Sequence, residues 1–123
     1  MPRIVHLDIV AENPDRAMKF YKEAFGWSFD KWKGGSMDYW LFMTGKEGEP
    51  GIDGGLAKGD VKKGSTVGTL EVSSLEEYIK KVERSGGKIT VPKVAVPGVG
   101  WIAYFEDTEG NEFGMLEPDM SAK

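Results

Sequence analysis

The chain opens on a short run in which apolar and polar side chains alternate, Ile4-Val5-His6-Leu7-Asp8-Ile9-Val10. A period of two is the signature of a strand with one face buried, so residues 3 to 10 are predicted as the first strand. The period then changes. Ala17, Met18, Phe20, Tyr21, Ala24 and Phe25 recur at helical spacing, Asn13 and Pro14 suit the N-cap and first helical position, and Gly26 suits the stop. Three more strands are predicted at Trp27 to Trp32, Met37 to Thr44 and Ile52 to Lys58. Lys33-Gly34-Gly35 is the turn between the first two, and Gly45 to Gly51 the loop before the third.

The same succession then begins again. Ser65 to Val72 reads as a strand, and Ser74 with Glu77 forms a capping box, which satisfies two N–H groups at a helix start. Leu75, Tyr78, Ile79 and Val82 make an apolar stripe that Gly86-Gly87 ends. Strands follow at Lys88 to Val96, Gly100 to Glu106 and Glu112 to Glu117. The last two are joined by Asp107-Thr108-Glu109-Gly110-Asn111, whose Asp, Asn and Gly suit a turn and require no catalytic role. The order is β-α-β-β-β twice. His6 precedes Gly26 by the same interval as Val67 precedes Gly87, so the copies are in register. Module one is read as residues 1–58, the linker as 59–64 and module two as 65–119. Neither module can bury both faces of its sheet alone, so residues 1–123 are expected to form one domain.

Composition narrows the function. The net charge is -4, with 16 basic and 20 acidic residues and no basic patch, which argues against nucleic acid as a partner. No apolar run is long enough to cross a bilayer, and Met1-Pro2-Arg3-Ile4 lacks an apolar signal region, so a cytoplasmic location is expected. There is no cysteine, which excludes disulfides, thiolate metal sites and cysteine nucleophiles. The single histidine, His6, is the position where a metal enzyme would place a first ligand, although a lone histidine on a strand is more often simply packed.

The duplicated unit, together with Phe20-Tyr21, Phe25-Gly26-Trp27 and the Asp107 to Asn111 turn, resembles the vicinal oxygen chelate superfamily. That group holds glyoxalase I, extradiol dioxygenases, and bleomycin and fosfomycin resistance proteins. The run Pro97-Gly98-Val99-Gly100-Trp101, with Tyr104-Phe105 and Asn111-Glu112-Phe113-Gly114, is similar to a glyoxalase-like, antigen-type subgroup. The resemblance implies an α+β fold of two βαβββ modules forming a curved eight-stranded mixed sheet around a cavity, and a homodimer. It also implies metal ligands on the first and fourth strands of each module. His6 matches the first. The fourth-strand position of module one falls within Asp53-Gly54-Gly55-Leu56, at Gly55 unless the register shifts to Asp53. The other two carry Val67 and Gly114, so none of the three offers a donor side chain in register, and Glu117 falls on the opposite face from Gly114. The family's metal site is therefore expected to be absent, with no other cofactor required.

If His6 faces the cavity, as the resemblance implies, the period of two turns Asp8, Val67, Thr69 and Glu71 the same way. His6, Asp8 and Glu71 are then the candidate acid–base residues, and Thr69, Trp40 and Trp101 the candidate ligand-binding residues. Two functions fit. One is a protein that binds a small organic molecule without a metal. The other is a lyase or isomerase of the glyoxalase type, or a dioxygenase-like enzyme, using His6 with Asp8 or Glu71.

Overall fold

The computed structural model describes residues 1–60 and 66–123. The predicted linker, 59–64, lies mostly outside the described residues. Among them are eight strands and two helices, in the expected order. The strands are β1 (Arg3–Ala11), β2 (Ser28–Lys31), β3 (Tyr39–Met43), β4 (Asp53–Lys58), β5 (Thr66–Glu71), β6 (Lys88–Val96), β7 (Gly100–Glu106) and β8 (Glu112–Pro118). The helices are α1 (Pro14–Phe25) and α2 (Leu75–Arg84). Neither helix is long and apolar enough to cross a membrane. The chain divides into two compact units, His6–Thr66 and Met1–Val5 with Val67–Lys123. Arg3, Ile4 and Val5 of β1 thus belong to the unit that holds Val67–Lys123.

In the unit His6–Thr66, β2, β3 and β4 run antiparallel in succession and β4 pairs in parallel with β1. The register places His6 opposite Asp53, Asp8 opposite Gly55, Gly55 opposite Leu41 and Leu41 opposite Asp30. Alternation then sorts the sheet. Ile9, Ala11, Trp40, Phe42 and Leu56 face α1 and pack with Ala17 and Met18, whereas His6, Asp8, Tyr39, Leu41 and Met43 take the other face. Helix α1 starts and stops as its sequence predicts. Asn13 accepts from the Arg16 N–H, and Gly26, at φ 75°, donates to the Lys22 carbonyl.

In the other unit β5 pairs in parallel with β8, and β8, β7 and β6 run antiparallel. Leu70, Trp101, Ala103, Phe105 and Met115 pack under Leu75, Ile79 and Val82 of α2. The α2 cap differs from the reciprocal box expected. Ser74 accepts from the Glu77 N–H, but the Glu77 carboxylate pairs with Lys81 instead of turning back. The Leu75 N–H is taken by Glu117 at 2.8 Å, a residue 42 positions away. Glu117 does lie on the face opposite Gly114, and its work there is to tie β8 to the start of α2.

Candidate functional site

His6 and Asp8 stand two residues apart on β1, so a strand turns both to one face, with 29% and 25% of their side chains exposed. The His6 Nε2 lies 3.0 Å from Asp8 Oδ1 and 3.0 Å from the Tyr39 hydroxyl, which itself donates to Asp8 Oδ1 at 2.5 Å. A carboxylate only accepts, so Nε2 carries the hydrogen and a neutral His6 keeps its lone pair on Nδ1. The three groups thus fix one tautomer of the imidazole, and Asp8 Oδ2 takes no bond from a described residue.

Tyr39 reaches this position because residue 55 is glycine. A Cβ built on Gly55 would fall 1.6 Å from the Tyr39 hydroxyl oxygen and 2.0 Å from its Cζ. The hydroxyl stands where a side chain from the fourth strand would be. The later unit repeats the arrangement: Thr69 on β5 faces Gly114 on β8, and a Cβ there would meet the Tyr104 ring at 3.1 Å and Thr69 Oγ1 at 3.2 Å. Asp8 and Thr69 are equivalent positions of the two copies, but their surroundings differ. Asp8 accepts two bonds at Oδ1, whereas Thr69, 3% exposed, leaves Oγ1 without a partner among the described residues.

The other sequence candidates are dispersed. Glu71 belongs to the later unit, where it is exposed and borders a cavity of about 440 Å³ shared with Tyr78, Glu117 and the N-terminal Met1-Pro2. Trp40 and Trp101, read as candidate ligand-binding residues, do not share the faces of His6 and Thr69. Each is packed under its unit's helix, because β3 and β7 run one residue out of the phase that would turn them. Each also carries a lysine over its ring, Lys31 at 4.7 Å and Lys93 at 4.9 Å, and the Trp101 indole donates to Asp119. The indole on the His6 face is Trp32, which meets Tyr39 edge to face at 5.8 Å. Tyr39 and Trp32 were missed as site residues because their roles depend on the β2–β3–β4 register. The glycine pair Gly54-Gly55 was the available signal.

Two carboxyls with displaced pKa values, Asp107 and Asp119, lie away from this cluster. Bonds from the Asn111 side chain and from the Asn111 and Glu109 N–H groups hold the Asp107 carboxyl below its usual range. Bonds from Ser121 and Trp101 do the same for Asp119. The Asp107 turn is structural, with Gly110 at φ 87° completing it.

Two βαβββ units, each with a parallel first-to-fourth strand pair and its helix on one face, define the class of protein. The family model described as Glyoxalase/Bleomycin resistance protein/Dioxygenase superfamily matches residues 3–115, and the chain belongs to that superfamily. A Glyoxylase-like domain-containing protein of Didymella fabae is 29% identical over 113 residues, covering 89% of this chain and 88% of its own. Among solved structures, a hypothetical protein of Bacillus halodurans C-125 matches with a TM-score of 0.70 and 16% identity over 99% of this chain and 98% of its own. Methylmalonyl-CoA epimerase from Mycobacterium tuberculosis matches with a TM-score of 0.68 and 14% identity over 94% of this chain and 87% of its own. At these identities the two structures share the fold.

The superfamily resemblance implied a metal, and the residues present do not fit one bound in the expected way. Of the four positions only His6 offers a donor. Gly55 and Gly114 offer none, and the space beside each is taken by a tyrosine. A divalent ion needs several placed donors to offset its dehydration.

Proposed function

We propose that this protein binds a small organic molecule on the face carrying His6, Asp8 and Tyr39, without the metal centre of its superfamily. The observation that supports this most is the Tyr39 hydroxyl, which occupies the place of a residue-55 side chain and closes a hydrogen-bonded cluster around His6. The cluster is partly exposed, presents the Asp8 Oδ2, which no described residue bonds, and the imidazole Nδ1, and is flanked by exposed Leu41 and Met43 on the same face. Polar groups converging beside apolar side chains suit a ligand that is both anchored and partly desolvated. Because His6 is the only histidine, its imidazole gives one set of NMR signals. Chelator-treated protein titrated with a panel of small aromatic compounds is expected to shift those signals with at least one of them. Binding that returns only when a divalent metal is added overturns the reading.

A second reading follows from the same geometry. An imidazole whose tautomer is fixed by a carboxylate is arranged for proton transfer, so His6 with Asp8 supports a lyase or isomerase, with Nδ1 as the base. Solvent-deuterium exchange into a bound carbon acid, lost in His6→Ala, would favour it over simple binding. The homodimer and the cytoplasmic location stay part of the proposal, and sedimentation of the purified chain tests the first.

A further inference from the structure

The His6 face of the unit His6–Thr66 carries charge of one sign. Register and alternation put His6, Asp8 and Val10 of β1, Asp53, Gly55 and Ala57 of β4, Tyr39, Leu41 and Met43 of β3, and Ser28 and Asp30 of β2 on this face. Three of these are aspartates, and none is a lysine or arginine. Lys31 of β2 and Lys58 of β4 take the opposite face, where Lys31 lies over Trp40. Asp53 is already bonded to the Thr44 N–H, but Asp8 Oδ2 takes no bond from a described residue, and Asp30 is exposed one strand beyond Leu41 in the row Asp8–Gly55–Leu41–Asp30.

Apolar surface runs through the same row. Leu41 and Met43 are 41% and 51% exposed, whereas Phe42 between them is buried against the helix. Trp32 stands beside Tyr39 with its ring edge to face, held by the chain reversal at Gly34, where a Cβ would meet the indole at 2.5 Å. Aromatic rings and carboxylates without a competing fixed cation attract a positive group through both the ring quadrupole and direct charge.

Resting on the binding site proposed above, we infer that its ligand is an organic cation: a primary ammonium carried on a flat apolar body. The ammonium donates to Asp8 Oδ2, with Asp30 adding to the field, and the body lies against Trp32, Leu41 and Met43. An anionic ligand of the same shape meets the carboxylates of Asp8 and Asp30 and is disfavoured.

Three probes with one body and three charges test this: phenethylamine, phenethyl alcohol and phenylacetate, each titrated while the His6 imidazole signals are followed. The ammonium is expected to bind about tenfold more tightly than the alcohol, and that preference to shrink as salt is raised from about 20 mM to about 300 mM. Asp8→Asn should remove the preference. Asp30→Asn, which leaves the His6 cluster untouched, should reduce it by about twofold. Trp32→Ala should weaken the amine and the alcohol alike. Phenylacetate or the alcohol shifting His6 as strongly as the amine keeps the site and overturns the charge assignment. An amine that leaves His6 unmoved overturns the assignment, and if all three leave it unmoved the binding site falls with it.

Discussion

Gly55→Ala is the sharpest test of how the His6 cluster is built. The new methyl would sit 1.6 Å from the Tyr39 hydroxyl oxygen, 2.0 Å from Cζ and 2.6 Å from Cε1, so the tyrosine ring has to leave. Its departure breaks the bond to Asp8 and the contact with His6. A hydrogen bond to a charged group contributes roughly 1.5–3 kcal/mol, and partial exposure of Asp8 places this one near the lower end. Against that, replacing glycine in a strand recovers about 0.5–1 kcal/mol of chain entropy. Moving the ring and exposing its apolar surface adds about 1 kcal/mol of cost. The expected destabilisation is about 1.5–2.5 kcal/mol, or a fall in melting temperature on the order of 5–10 °C for a domain of this size. Urea denaturation of the wild type, Gly55→Ala, Tyr39→Ala and the double variant measures it as a cycle. Once Tyr39 is gone, the alanine at 55 should cost nothing, giving a coupling of at least about 1 kcal/mol. A neutral Gly55→Ala, or additive effects in the double variant, refutes the account of Tyr39 as the occupant of that place.

Other outcomes follow from the packing and the displaced carboxyls. Thr69→Val should leave the protein as stable or raise its stability by up to about 1 kcal/mol, since a buried hydroxyl without a partner is lost and the shape is kept; a clear loss in thermal melts would show that Oγ1 has a partner. Leu56→Ala and Leu75→Ala, both fully buried in different clusters, should each cost about 2–5 kcal/mol by denaturant unfolding. Asp107 and Asp119 bind protons less readily folded than unfolded, so their contribution is present above the ordinary value of 3.8 and is lost as the pH falls below it. Melts at descending pH should therefore show a smaller acid loss in Asp107→Asn than in the wild type.

Much of the architecture was legible because periodicity and caps are local. The helix over 14–25 follows from Asn13, Pro14 and Gly26, and each strand from its alternation or its flanking turns. The repeat also located Gly55 and Gly114 as positions without a donor. What could not be read was phase. Trp40 and Trp32 both stand on strands, but which faces His6 depends on how β2, β3 and β4 pair, and that register is set by long-range packing. Turning Trp40 inward under α1 moved Tyr39 to the outer face, and no sequence pattern announced that its hydroxyl would fill the gap at Gly55. The α2 cap shows the same limit: Glu77 satisfied the local motif on paper but pairs with Lys81, while the Leu75 N–H is taken by Glu117, which only the folded chain brings near.

The rings of Tyr21, Trp27 and Phe42 lie almost parallel, at 4.9 Å and 5.3 Å between neighbouring centroids and with interplanar angles of 7° and 2°. Such a stack couples their electronic transitions, so the near-ultraviolet circular dichroism of this protein should carry a strong signal that vanishes when the unit His6–Thr66 loosens. Trp101 is the one tryptophan of the other unit, and its fluorescence reports that half once Trp27, Trp32 and Trp40 are replaced by phenylalanine. The molecule thus carries two built-in optical labels, one for each copy of its ancestral repeat, with which the order of their melting can be read without attaching a dye.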